Sequence, residues 1–316
     1  MNQPLLRPVD RVQILTLVDN VTDLQLASEE RVQRLGRADD TLAAEPLRAE
    51  PGYAALVRVT RGETTHSFLF DTGLSENGLI HNMDLLGVEQ EELETIVLSH
   101  GHADHTRGLG AVLKRMCGRS IRLHLHPDAF LDRRVDLPNG KKVALPAPDR
   151  AALVDAGVKV VEERGVSTLF DDMVLITGEI PRHTEFEQGF PPHQSRIDGE
   201  WQPDAKVADD QALVMQLRDK GLIVLTGCGH SGIINTLDYA QQLGNGAPIH
   251  AVLGGFHLGG RLFEKIIEPT VAALRDRAPE TIVPGHCTGW KAVHAIAEAL
   301  PDAFLPNSVG SCFTFN

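Results

Sequence analysis

A chain of 316 residues, 42% hydrophobic and 23% charged, has enough apolar material for a large core and reads as a globular protein. Its formal charge of -13 argues against nucleic acid as a partner, because phosphate binding relies on clustered Lys and Arg. No apolar run approaches the roughly 20 residues that cross a bilayer, so no membrane partner is expected.

The four cysteines, Cys117, Cys228, Cys287 and Cys312, lack the paired spacing of a disulfide framework or zinc ribbon. Met1 to Pro4 lead into Arg7, Asp10 and Arg11 instead of a secretory apolar segment, and the expected compartment is the cytoplasm. Residues 12–18 read as a first strand ended by Asp19-Asn20. The charged stretch near 21–50 is expected to be a surface insertion, with a short helix over 31–35. Residues 53–60 and 64–70, separated by Arg61-Gly62-Glu63, read as a hairpin that runs into Asp71-Thr72-Gly73. Residues 76–86 form a helix closed by Gly87.

The apolar run 95–98 follows, and directly behind it stands Ser99-His100-Gly101-His102-Ala103-Asp104-His105. Four metal-binding side chains lie within six positions. At the carboxyl end of a strand, His100 and His102 project to one side, while Asp104 and His105 fall on the turn before a helix over 106–116. Imidazoles this crowded repel when protonated, so their convergence calls for a cation. His124 and His126 repeat the spacing, but Pro127 follows them and no acid accompanies them. They read as a strand-end pair without metal.

Strands over 141–145, 158–162 and 173–177, with a helix over 150–156, come next. The mixture of hairpins with alternating strands and helices predicts a mixed α/β protein, taken as one domain over 1–316. The polar segment 184–208, from Phe190-Pro191-Pro192-His193 to Trp201-Gln202-Pro203, reads as a second surface insertion, either a lid or binding loop or plain surface irregularity. Helices are expected over 232–243, 261–278 and 290–300, and a closing strand over 309–315 in which Cys312 is structural.

Ligands from distant segments are needed to complete a metal site. The candidates are His183, Cys228 with His230, and His286, each behind an apolar strand. A metal-binding Cys228 acts as the thiolate.

The run from His100 to His105 resembles the His-x-His-x-Asp-His signature of the metallo-β-lactamase superfamily, and Asp71-Thr72-Gly73 resembles its early Asp-Thr-Gly motif. The resemblance implies a four-layer αβ/βα sandwich with metals at one edge between two sheets. It gives His100 and His102 to one metal and Asp104 and His105 to a second, completed by His286. Cys228 takes the place of a bridging aspartate, and Asp71 supports the ligands through hydrogen bonds. The third ligand of the first metal stays open between His183, which spacing favours, and His230. The second is favoured by a narrower similarity carried by Gly178-Glu179-Ile180-Pro181-Arg182, Gly227-Cys228-Gly229-His230, Gly254-Gly255-Phe256-His257-Leu258 and Pro284-Gly285-His286-Cys287-Thr288-Gly289. Together these stretches are similar to the branch that contains the dihydropterin-linked ribofuranosylaminobenzene phosphate synthase and uncharacterised bacterial relatives.

The resulting expectation is a metal-dependent hydrolase whose activated water attacks a small ester, lactone, amide or phosphate-bearing substrate. One or two divalent ions are implied, zinc first because of the thiolate, with iron or manganese as alternatives. The catalytic candidates are Asp104, His230 and His257. The competing readings are a synthase that joins a ribofuranosylaminobenzene phosphate to a dihydropterin, and a metal-containing binding or sensor protein. The oligomeric state is left open.

Overall fold

Two sheets lie face to face in the computed structural model, which describes residues 6–35, 45–116 and 118–316. Cys117 and residues 36–44 of the first expected insertion lie outside the described residues. The larger sheet has eight strands in the order Val32–Gln33, Cys312–Phe315, Arg11–Val18, Ala54–Arg61, Thr64–Phe70, Thr95–Val97, Arg122–Leu125, Lys159–Glu162. The smaller has six, in the order Ser167–Leu169, Val174–Ile176, Ala212–Leu217, Gly221–Thr226, Ile249–Gly255, Thr281–Gly285.

Side-chain alternation sets the layers. On the larger sheet Val57, Phe68, Phe70 and Val97 point inward and meet Leu213, Met215, Ile223 and Leu225 of the smaller one. Their neighbours Leu56, Leu69 and Ile96 point outward onto Leu79 and Met83 of the helix Glu76–Leu85 and Leu109 and Val112 of the helix Leu109–Arg115. On the other side Val214, Leu222, Val224 and Val252 pack against the helices Ile233–Leu243, Ile267–Arg277 and Trp290–Ala299. The result is a four-layer αβ/βα sandwich. Phe68, Phe70 and Phe313 are fully buried between the sheets, each contributing about 2–3 kcal/mol of transfer free energy.

Five local expectations need correction. Residues 31–35 are not helical, because Val32–Gln33 pairs with the C-terminal strand and buries Val32, while Arg31 and Arg34 donate to the carbonyls of Glu280 and Pro306. Asp104 and His105 lie in a separate short helix, Ala103–Thr106, and not on an open turn. The following helix starts only at Leu109, since the chain at Gly108 passes so close to Thr72 that a Cβ would come within 2.0 Å of its carbonyl oxygen. The helix expected over 261–278 starts at Ile267, behind a 3-10 turn over Glu264–Ile266. Finally, residues 193–203 are no irregular loop. They form a hairpin, His193–Ile197 with Glu200–Pro203, inside a third sheet completed by Arg133–Asp136 and Lys142–Leu145. The turn is Asp198-Gly199, both at positive φ (50° and 84°), which a two-residue hairpin of type I′ requires.

No helix among the described residues is long and apolar enough to cross a membrane. The strands Gly221–Thr226, Ile249–Gly255 and Thr281–Gly285 run parallel, so their carboxyl ends, with the residues behind them, open on one edge of the sandwich.

Candidate metal centre

Each strand end at that edge delivers a group to one point. Behind Thr95–Val97 come His100, His102, Asp104 and His105; behind Gly221–Thr226 come Cys228 and His230; behind Ile249–Gly255 comes His257; and His286 follows Thr281–Gly285. Close approach of the sheets requires glycine at Gly227, where a Cβ would lie 2.0 Å from Ser99 Oγ, and the 3-10 turn Pro127–Phe130 requires one at Gly101, where it would lie 2.1 Å from the Ala129 carbonyl oxygen.

The side chains converge as two groups. His100 Nε2 lies 3.0 Å from His102 Nδ1, which is 3.2 Å from His230 Nε2. His105 Nε2 lies 3.2 Å from both Cys228 Sγ and His286 Nε2, with Cys228 Sγ 3.3 Å from His286 Nε2. Asp104 Oδ2 stands 3.4 Å from His286 Nε2 and 3.6 Å from His105 Nε2. Cys228 belongs to both groups, one with Asp104, His105 and His286, the other with His100 and His230.

Hydrogen-bond partners fix the proton positions. The buried Asp71 carboxylate accepts from Ser99 N–H at 2.7 Å, from Ser99 Oγ at 2.7 Å and from His105 Nδ1 at 2.7 Å. Ser99 has thus spent its only hydroxyl proton, so its oxygen, 2.9 Å from His100 Nδ1, accepts from that nitrogen. Neutral His100 therefore turns a bare Nε2 lone pair into the cluster, and His105, whose Nδ1 proton is held by Asp71, offers its Nε2 once a cation displaces the proton there. Ligand atoms crowd here at 3.0–3.3 Å, and a cation between them takes the place of the protons such pairs would otherwise have to share. Nitrogens about 2.0–2.1 Å from one ion stand about 2.8–3.4 Å apart at angles of about 90–109°. The donor set and its spacing fit divalent metal.

Electrostatics separate the two groups. Burial, reinforced by neighbouring positive and imidazole groups, holds His100, His102 and His230 well below the ordinary imidazole range, keeping them neutral. Burial acts the same way on His105, but Asp104 and Asp71 outweigh it and lift it to about 9. Burial also works against the Asp104 carboxylate, yet His105 and His286 hold it well below its usual value. Burial and Cys287 push the Cys228 thiol up; a bound cation reverses that sign, because a coordinated thiol is deprotonated.

His183 stands apart from these groups, with an exposed side chain and its backbone N–H on Asn235 Oδ1. His257 packs on His230 with ring centroids 4.0 Å apart and planes tilted by 48°, and lines a cleft of about 360 Å³. Three residues here hold positive φ, Asp71 (61°), His257 (46°) and His286 (49°). Such strain persists only where surroundings over-determine it, as they do at functional sites. For His286 the anchors are Asp19, which accepts its N–H at 2.8 Å, and Asn20, which donates to its carbonyl at 2.8 Å.

Sequence reasoning misses several supporting residues. Asp19 reads there only as a strand end. Glu187 caps the helix Ile233–Leu243 from 46 or more positions away, accepting from Ile234 and Asn235 N–H at 2.9 and 2.8 Å. Buried Arg133 pairs with Asp209, whose Oδ2 accepts Gly101 N–H at 2.8 Å. The imidazole of His193 lies 2.9 Å from His102; the Asp198-Gly199 turn signal is the available clue to its hairpin.

Across 262 residues, 82% of this chain and 92% of the relative, the sequence is 32% identical to an uncharacterized protein of Methanocaldococcus jannaschii. A family model of the metallo-beta-lactamase superfamily matches residues 47–187, which contain the His100–His105 cluster. The chain belongs to the metallo-beta-lactamase superfamily. It is also 26% identical over 287 residues, 85% of this chain and 92% of the relative, to the 7,8-dihydropterin-6-methyl-4-(beta-D-ribofuranosyl)-aminobenzene-5'-phosphate synthase of the same archaeon. Among solved structures, one described as a metal-dependent hydrolase of the beta-lactamase superfamily aligns with a TM-score of 0.71 and 25% identity, covering 96% of this chain and 98% of that one. The metallo-beta-lactamase fold protein YhfI from Bacillus subtilis aligns with a TM-score of 0.53 at 11% identity, over 97% of this chain and 100% of that one, a likeness of fold alone. The metallo-beta-lactamase sandwich thus extends over nearly the whole chain, well beyond the segment the family model matches.

Proposed function

We propose that this superfamily member is a metal-dependent hydrolase with a binuclear centre, acting on a small ester, lactone or amide. The observation that carries the reading is the convergence of the His100 and His105 Nε2 atoms with His102, His230, His286, Cys228 and Asp104, beside an open cleft. His100, His102 and His230 would hold one ion, and Asp104, His105 and His286 the other, with Cys228 between them. Zinc suits the mixture of thiolate, imidazole and carboxylate. A divalent cation supplies Lewis acidity and makes water nucleophilic near neutral pH.

The chain's own groups do the rest. Asp104, kept ionised, accepts a proton from the attacking water. His230 faces His102 and serves as a ligand, which leaves His257 to protonate the leaving group from the cleft wall. Phe256, Leu258, Leu262, Phe263 and Ile266 line the same cleft and favour an apolar substituent on the substrate.

The synthase reading rests on the archaeal relative. Its phosphate would need a cationic or helix-terminal seat. However, Arg182 donates to the carbonyls of Glu187 and Lys206, and Glu187 occupies the start of the helix Ile233–Leu243. Both groups are engaged within the fold, which leaves Lys265 on the cleft wall as a cation available to a phosphate. A screen of matched esters, lactones, amides and phosphodiesters tests the hydrolase reading. Chelator-sensitive turnover of the carbonyl substrates is expected, and a fully metal-loaded protein inert toward all of them would refute it.

A further inference from the structure

The hairpin His193–Ile197/Glu200–Pro203 brings one buried imidazole to the metal centre, and its hydrogen bonds run in one direction. His193 Nδ1 lies 3.1 Å from the Asp204 carbonyl oxygen. A carbonyl only accepts, so Nδ1 carries the proton, and in that tautomer Nε2 is the accepting nitrogen. That nitrogen lies 2.9 Å from His102 Nε2, which must then be the donor. With its proton on Nε2, His102 turns an unprotonated Nδ1 toward His100 Nε2 and His230 Nε2, at 3.0 and 3.2 Å. Of the two His102 nitrogens, only Nδ1 faces the cluster, and only this tautomer can bind an ion there.

We propose that His193 is a positioning residue, whose hydrogen bond from His102 fixes the tautomer through which His102 ligates the first metal ion. The inference rests on His102 being a ligand, as in the reading above. Its base is rigid. The same strand pairs with Arg133–Asp136, and Arg133 reaches both Asp204 (3.1 Å) and Asp209 (2.6 Å), the residue that holds Gly101 N–H. One network therefore sets the backbone between His100 and His102 and the proton on His102. The segment that reads as a surface insertion is in this way part of the centre.

Two experiments test the proposal. In the first, His193→Phe keeps a ring of similar size but removes the acceptor, while His193→Gln keeps an acceptor oxygen. Zinc titrations in competition with a chromogenic chelator should show one ion weakened 10–100-fold in the Phe variant, the usual cost of losing a support to a ligand histidine, and largely restored in the Gln variant. Wild-type affinity in the Phe variant, or equal loss in both variants, would overturn the assignment. The second needs no variant. Nitrogen-15 long-range correlation spectra of histidine-labelled native protein should show His193 protonated on Nδ1 and His102 on Nε2, and the opposite tautomers would overturn it. Because these spectra read the metal-free protein too, they decide the tautomers even if the hydrolase reading fails.

Discussion

Replacing Asp71 with Asn removes a charge without changing size, and Asn tolerates the positive φ of 61° at this position. The amide oxygen can still accept Ser99 N–H, but its NH₂ then faces Ser99 Oγ and His105 Nδ1, the two groups that now donate to Asp71 Oδ2. His105 must accept at Nδ1 and carry its proton on Nε2, the nitrogen aimed at Cys228 and His286. Loss of such a support typically costs 10–100-fold in metal affinity, or about 1.4–2.7 kcal/mol. Competitive zinc titration of Asp71→Asn should therefore show at least one ion weakened by that factor, with a chelator-treated fold that still melts cooperatively. Both affinities within twofold of wild type would refute the proton assignments at this centre.

Three other outcomes follow from the geometry. Cys228→Ala should lower metal stoichiometry by at least one ion, because the sulfur belongs to both ligand groups; unaltered stoichiometry would make Cys228 a packed side chain only. His257→Gln should retain metal while kcat falls about 10²–10⁴-fold, the usual contribution of a proton donor, and an unchanged rate would remove His257 from the reaction. The chelator-treated protein should be most stable near pH 6.5. Below that, His100, His102 and His230 have folded pKa values under the unfolded one, so the unfolded chain takes up protons first and stability falls, by at most about 1.4 kcal/mol per unit for each. Above it, His105, raised to about 9, loses its stabilising contribution between about pH 6.5 and 9. Urea unfolding across pH 5–9 that gives a flat or monotonic profile would contradict these assignments.

The legible parts of the sequence are those whose chemistry is local. His100, His102, Asp104 and His105 sit together in the chain and together in space, and the apolar strands ahead of Cys228 and His286 announce where those residues emerge. Spacing favours His183 over His230, although both follow strands of the same sheet. What separates them is that the Gly227-to-Gly229 turn brings His230 back to His102, whereas His183 stays at the surface. The supporting network is hidden for a different reason. His193 reaches His102 across 91 positions and Asp209 reaches Gly101 across 108, and no periodicity carries such pairings. The same holds for Val32–Gln33, whose extended form depends on an edge formed by the last strand of the chain.

Elemental analysis of gently purified protein, before and after dialysis against chelator and reloading with zinc, puts the metal centre to its plainest test. Close to two divalent ions per chain are expected, lost with the chelator and regained on reloading, with His102→Ala holding fewer. Intact, folded protein that contains no metal and takes up none on reloading would contradict the claim that these imidazoles, carboxylate and thiol meet around cationic charge.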